Sequence, residues 1–443
     1  MRRTFLTFTL TLLMAACCLP AAAGVREDFA AQPQLSANNY RAYPDKQLPA
    51  ITAAPAGYEP FFINHYGRHG SRWLIGEGSY TFPIKQLEKG ERNGKLTARG
   101  QEVLDILRRV HAASKGRLGE LSDIGHEQHQ GIARRMYQNF PQVFTDGAPI
   151  EARSTVVIRC ILSMQNEVDM LLSLNPRLDI TTDASEATMY YMNYTDTVVT
   201  PLRKQCYPMQ HQWRDKWVNP RHMLKKLFTD QRFARDSVTD ATQMMLNLFD
   251  VASNMQSHHE FEDVNLYDVF SKDDIYNIWR YNNLRWYILS GETPLTECRV
   301  DYMEANLVRN LIEDADRAIM RGRKFDSEGR LQSAGASLRF GHESVVLPLC
   351  CLMGLNGADY RTTDLETLDR HWRCGEIFPM AANVQLIYFH KAGSDDVLML
   401  PLLNEHEATL PVPTDVAPYY HWSDVRDYFL NKLSQQPVIT PAQ

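Results

Sequence analysis

Long apolar runs are scarce in this chain of 443 residues. Beyond residue 23 the longest is VVLPLCCLMGL, too short to cross a bilayer, which takes about 20 apolar residues as a helix. No transmembrane segment is therefore expected. Cysteine is sparse as well. Cys160, Cys206, Cys298, Cys350, Cys351 and Cys374 follow residue 23, and none has zinc-ligand spacing. So few cysteines exclude a disulfide-built scaffold and leave room for one or two bridges at most. Cys350-Cys351 lies inside an apolar run and reads as a pair of buried thiols. A basic surplus is also missing: 47 Lys and Arg face 53 Asp and Glu, for a net charge of −6. That argues against nonspecific nucleic-acid binding, so any anionic ligand must meet a local basic pocket. Apolar residues at 44% and charged residues at 23% exclude a disordered chain and supply a large core. No internal repeat is present.

Residues 1–23 stand apart. MRR is a basic start, FLTFTLTLLMAA a short apolar run, and Ala21-Ala22-Ala23 offers small residues before Gly24. This reads as a signal peptide, and the chain is expected to be exported: periplasmic, secreted or held at the outer surface. Met14-Ala15-Ala16-Cys17 loosely fits a lipid-attachment site, so an anchor at Cys17 is the alternative. Loss of residues 1–23 removes two arginines and no acid, taking the charge to about −8.

The patterning alternates strand and helix. Residues 24–58, rich in Pro, Ala, Asn and Tyr without periodicity, read as an extended arm. EPFFINHY, PIEARST, LDITTDA, SAGASLRFGHE, ANVQLIYFHK and DVLMLPLLNE read as strands. Helices are expected in KLTARGQEVLDILRRVHAASKGRLGE, in LSDIGHEQHQGIARRMYQNF capped by Ser122, and in VVIRCILSMQNEVDMLLSLNP. SVVLPLCCLMGLNG, with Gly357 near its end, and SDVRDYFLNKLS complete the set. Residues 186–298 carry helical patterns and few strand signals. The expectation is an α/β domain over 59–185 and 299–443, a mixed sheet flanked by helices, with an α-helical cap inserted at 186–298.

Three strand ends carry chemistry. Gly67-Arg68-His69-Gly70-Ser71-Arg72 follows the first strand, where ligand crevices of open α/β sheets lie. Two guanidiniums beside one imidazole disfavour its protonated form, so the cluster asks for an anion. Arg68 and Arg72 suit phosphate oxygens through planar donor forks, and His69 is then placed to attack phosphorus. Glycines there let backbone approach a ligand closely. Glu151-Ala152-Arg153-Ser154-Thr155 ends a second strand and would aim Arg153 at the same crevice, although a lone arginine is ordinarily a solvated partner. Phe340-Gly341-His342-Glu343-Ser344 closes a third. His342 offers an anion donor and Glu343 a proton donor.

Arg68-His69-Gly70-x-Arg72, Arg153 and His342-Glu343 together resemble the histidine phosphatase superfamily, in its acid phosphatase and phytase branch. LRFGHESVVLPLCCLMGLNG and GELSDIGHEQHQGIARRM are most similar to multiple inositol-polyphosphate phosphatases. The resemblance covers roughly residues 60–180 and 335–403. It implies a phosphohistidine at His69, with Arg68, Arg72, Arg153 and His342 on the phosphate oxygens and Glu343 as proton donor. No metal or cofactor is needed, because arginines supply the charge. One departure stands out. The acid phosphatases have His-Asp and the inositol phosphatases commonly His-Ala-Glu. Here Glu343 follows His342 directly, and Ser344 occupies the place of the later Glu.

Other signals are weighed against this. His126-Glu127-Gln128-His129 spaces its histidines three apart, where a zinc helix needs four. His258-His259 reads as exposed surface. Arg203-Lys204 would suit extra phosphates, or be a solvated pair, and Arg159 is in phase for the site or structural. Asn193-Tyr194-Thr195 is a glycosylation sequon that matters in a eukaryotic host alone. The expected partner is a small phosphate ester, an inositol polyphosphate such as phytate. The alternatives are a broad acid phosphatase on sugar phosphates or nucleotides, and a phosphate-ester binding protein with little turnover. A bell-shaped rate profile in the acidic to neutral range is expected.

Overall fold

The computed structural model describes residues 24–44, 48–194, 197, 199–322 and 333–434. The expected signal peptide and the Cys17 anchor lie outside these. Eight strands form one mixed sheet: β1 (Tyr58–Arg68), β2 (Pro149–Ser154), β3 (Asp179–Asp183), β4 (Gly335–Gly341), β5 (Asn383–Lys391), β6 (Val397–Leu403), β7 (His406–Glu407) and β8 (Tyr420–His421). The order is β3-β2-β4-β1-β5-β6-β7, with β8 also on β6. β3, β2, β4 and β1 are mutually parallel, while β5 and β6 return antiparallel. The register sets Arg68 beside Gly341 and Ser154 beside Phe340, so three motif-bearing strand ends lie side by side.

Ten of the longer helices are α1 (Gly24–Ala31), α2 (Glu77–Arg92), α3 (Ala98–Ser114), α4 (Asp123–Asn139), α5 (Ile158–Leu174), α6 (Ala241–Asn254), α7 (Lys272–Ser290), α8 (Ala305–Gly322), α9 (Glu343–Met353) and α10 (Trp422–Leu433). Strand alternation divides the core. Ile63, Ile150, Ala152, Leu338 and Ile387 pack against α4 and α5 through Ile132, Met136, Val168 and Leu171. Phe62, Leu386 and Tyr388 face the other way, into a cluster with Leu307, Leu311 and Ala315 of α8. Among the described residues no strand lies between Asp183 and Gly335. Helix α6 packs on α2, so residues before β2 also belong to the helical layer.

Two expectations need correction. Residues 24–40 are not an extended arm: α1 is followed by a 3-10 stretch over Pro33–Tyr40. Val25 and Phe29, four residues apart, share a helical face, and Phe29 meets Trp279 of α7 edge to face at 5.0 Å. The helix after β4 stops at Met353, because Gly354 takes the left-handed C-terminal position at φ 67° expected nearer Gly357. No disulfide joins the six described cysteines to one another, and Cys350 and Cys351 are buried.

Candidate active site

The first motif leaves the sheet at Arg68 and is held from several directions. Its backbone N–H groups are spoken for: Arg68 donates to Ala382 O at 2.7 Å and His69 to Gly341 O at 2.9 Å. Gly70 donates to Ser163 Oγ at 3.1 Å and Ser71 to Gln128 Oε1 at 2.8 Å. Gln128 in turn donates to Ser71 Oγ at 3.0 Å. The glycines serve packing rather than ligand approach. A Cβ on Gly70 would lie 2.5 Å from Gly125 O, so Gly70 and Gly125 let the catalytic loop sit directly on α4.

His69 is buried, and its Nδ1 lies 2.9 Å from Gly70 O. A carbonyl can only accept, so Nδ1 carries the proton, and in the neutral ring Nε2 keeps its lone pair. Burial first, then Arg68 and Arg72, hold the imidazole well below its ordinary pKa, outweighing the opposite pull of Glu343. The ring is therefore held neutral, and desolvation rather than the arginines is the main cause. The orphaned Nε2 faces Glu343 Oε2 at 3.4 Å without a well-directed hydrogen bond.

Arg68 is fixed by donating through one terminal nitrogen to Asn39 O at 2.8 Å and Phe378 O at 2.9 Å, and its Nε lies 3.1 Å from Glu343 Oε2. Arg72 donates to Trp73 O at 2.9 Å. His342 caps α9, its ring 5.9 Å from that of His69 and its Nε2 3.3 Å from Thr155 Oγ1. Burial, and after it Arg159, Arg68 and Arg72, push its pKa down to about 4 against the pull of Glu343. It meets a ligand as a neutral ring. Glu343, and not the exposed Ser344, turns toward His69. Burial pushes its carboxyl up, but the charges of Arg68 and Arg72 prevail and hold it well below the carboxylate range.

The third arginine is not the one expected. Arg153 pairs with Glu151 at 2.8 Å and lies opposite Arg339 in the register, on the face that carries Asp314 of α8. Strand alternation, which sends Ala152 and Ser154 to the other face, is the reason. Arg159, from the first turn of α5, takes part instead: its charge acts on His342, and those of Arg72 and Glu343 act on it. Arg203 lies in charge range of buried Glu304, and Lys204 is exposed. The charges that shift His342 come from Arg159, Arg68, Arg72 and Glu343.

Sequence reasoning missed the opposite wall. Tyr40, from the supposed arm, stands against Arg72 with 5.6 Å between guanidinium and ring. Asp250 of α6 is pushed up to about 6 by burial, with Arg285 and Arg72 restraining the rise. Arg285 of α7 stacks on Tyr281 at 5.8 Å. No local pattern marks these three, since they meet the site through helix packing. The other signals resolve structurally. His129 pairs with Glu167 at 2.8 Å in the core, and His126 takes Asn166 at 2.7 Å. His258 is buried against Trp73 rather than exposed, while exposed His259 bridges Glu127 and Glu262. A cavity of about 590 Å³ between α4 and residues 255–267 is lined by Gln128 but by none of Arg68, Arg72, Arg159, His342 and Glu343.

Ligand atoms of His69, His342 and Glu343 lie within 4.8 Å of one another, as a metal site would have them. The charges on this trio argue for an anion, since Arg68, Arg72 and Arg159 would repel a dication. No helix among the described residues is long and apolar enough to cross a membrane.

Solved structures with this fold include the multiple inositol polyphosphate phosphatase of Bifidobacterium longum, at 17% identity and TM-score 0.67, covering 88% of this chain and 97% of that one. The phytase of D. castellii shares 12% identity at TM-score 0.63, covering 91% and 86%. The Hafnia alvei phytase bound to myo-inositol hexakis sulphate shares 11% at TM-score 0.52, covering 87% and 100%. No curated protein matches by sequence. The family model described as histidine phosphatase superfamily (branch 2) matches residues 68–397, from Arg68 to the start of β6, and the chain belongs to that family.

Proposed function

We propose that this chain hydrolyses phosphomonoesters through a phosphohistidine on His69. The observation that carries the reading is the His69 Nε2 lone pair, left open between Arg68 and Glu343 while Nδ1 is tied to Gly70. Nε2 attacks phosphorus in line and forms the N–P bond as the P–O ester bond breaks. The electron pair leaves on the alcohol oxygen, which takes its proton from the Glu343 carboxyl. Arg68, Arg72 and Arg159, with the N–H of His342, stabilise the phosphoryl oxygens. In the second half the Glu343 carboxylate takes a proton from water, whose oxygen attacks phosphorus and releases His69.

Inositol polyphosphates such as phytate are the substrates proposed. The names of the structural neighbours support this, one of which is described in complex with inositol hexasulfate. Arg285 offers a further cation beyond Arg72. A second reading, a broad acid phosphatase on sugar phosphates or nucleotides, is favoured by the placement of Arg153 at Glu151 and of Arg203 near Glu304. Export through residues 1–23 is part of the proposal and is checked by the N-terminus of the mature protein. Phosphate release from phytate and p-nitrophenyl phosphate by wild type, His69→Ala and Glu343→Gln tests the chemistry. Labelled phosphate trapped on His69 separates an enzyme from a binder, which would never become labelled.

A further inference from the structure

The described residues leave nine large apolar side chains exposed, and five of them, Ile75, Leu118, Val156, Ile158 and Leu162, belong to the segments that frame Arg159. A single patch of this kind on an otherwise polar surface marks a binding face more often than scattered exposure does. The backbone brings them together. Gly119 N donates to Leu74 O at 3.1 Å and Trp73 N to Glu120 O at 3.0 Å, so residues 118–121 run antiparallel beside 72–75. A Cβ on Gly119 would lie 3.5 Å from Ile75 Cγ1 and 3.7 Å from a terminal nitrogen of Arg159. Ile158 and Leu162, one turn apart on α5, flank that arginine, and Val156 follows Thr155, which touches His342.

The open side of the site points the same way. Arg68 and His69 are closed to solvent, whereas the Glu343 side chain keeps 14% of its exposure and Arg159 is half-buried. A phosphoryl group held at His69, with its ester oxygen toward Glu343, must send its alcohol out on this side. There, beside Arg159, the alcohol meets the apolar side chains of Ile75, Leu118 and Ile158. The nearby cation Arg117 is occupied, lying over Trp73 at 5.2 Å and 3.5 Å from Glu120.

We propose that Ile75, Leu118 and Ile158 form a shelf for the leaving group, and that among esters with a single phosphate the chain prefers those whose alcohol carries an alkyl or aryl body. The proposal rests on the phosphohistidine reading and goes beyond both substrate readings. Apolar contact made with the leaving group adds to kcat/KM for every methylene that the shelf covers.

The test is a series of n-alkyl phosphates from propyl to octyl, each rate divided by the same protein's rate on glycerol phosphate. Wild type should gain about two- to fourfold in kcat/KM per methylene over the first few. The I75S/I158S variant should lose most of that slope, while a control at the remote exposed residues, L174S/L430S, keeps it. Because each protein is its own reference, partial misfolding lowers the line without changing its slope. Turnover with a flat wild-type slope, or a slope that survives in I75S/I158S, overturns the shelf and leaves the phosphatase intact. No turnover of any ester, with no label on His69, overturns the underlying reading instead.

Discussion

The carboxylate of Glu343 lies 3.4 Å from Nε2 of His69, on the side of the ring where a phosphorus atom would have to arrive. It also lies 3.1 Å from Nε of Arg68, so in the free protein it occupies part of the phosphate's own charge field. The proposed proton donor is thus also a competing anion. Glu343→Gln separates the two roles. The variant cannot supply the proton, so kcat should fall by about 10²- to 10⁴-fold. It also removes a negative charge from beside Arg68, so inorganic phosphate should inhibit at several-fold lower concentration. Steady-state rates and phosphate inhibition constants read both. Weaker phosphate inhibition in the variant would contradict the geometry.

The same contact fixes the pH dependence. In the free protein Glu343 is ionised and His69 neutral across the mildly acidic range, since both are held below their ordinary values. The proton for the leaving alcohol must then arrive with the substrate, and a phosphate monoester gives up its second proton near pH ~6. Above that value the competent monoanion dwindles, and kcat/KM should drop about tenfold per unit. Below it the rate should hold until Glu343 or His69 gains a proton of its own. A profile of kcat/KM from pH 4 to 9 checks this, and a rate still climbing at pH 9 would sink it.

Arg159 and Arg153 separate a site arginine from a strand-face one. Arg159→Ala removes a donor to the phosphoryl group and should cost about 10²- to 10³-fold in kcat. Arg153→Ala loses a partly exposed pair with Glu151 at 2.8 Å and should leave activity within about threefold. Equal losses from the two variants would mean that Arg153 reaches the substrate after all.

Much of the site was legible in the sequence because its key residues are punctuated locally. Gly67-Arg68-His69-Gly70 and Gly341-His342-Glu343 each end a strand with an apolar alternation that reads without help, and the parallel register then sets Arg68 beside Gly341. Arg153 was misplaced because the strand-end rule gives position along the chain and not the face. One residue of phase decides whether a side chain meets the crevice or α8. Arg159 sits in the first turn of α5, where orientation depends on how α5 lies on α4, a long-range matter. Its phase was legible and left the choice between site and structure open, whereas Tyr40, Asp250 and Arg285 were invisible, because helix packing alone brings them there. Residues 24–40 were misread because their helix is short, and its apolar stripe, Val25 and Phe29, becomes meaningful when Trp279 is there to receive it.

His65 carries the last prediction. It is fully buried in β1, neither ring nitrogen has a hydrogen-bond partner, and the ring lies 5.3 Å from that of Phe340. Burial, with lesser contributions from His129 and Arg339, pushes its pKa down to about 3. In the unfolded chain the same imidazole takes a proton near ~6.5. Between those two values the unfolded chain binds the extra proton, so stability falls as pH is lowered through that window. The loss approaches about 1.4 kcal/mol per pH unit, or roughly 2 kcal/mol from pH 6.5 to 4.5 for this one group. His65→Leu keeps a similar volume and has nothing to titrate. Its unfolding free energy should therefore depend less steeply on pH than that of wild type by this amount, and at pH 7 it should be no less stable, because two unpartnered nitrogens are gone. Urea unfolding at pH 7.0 and 4.5 for both proteins gives the comparison. Parallel losses in the two would show that His65 gains its proton without unfolding, and that the strand around it is more open to water than its burial implies.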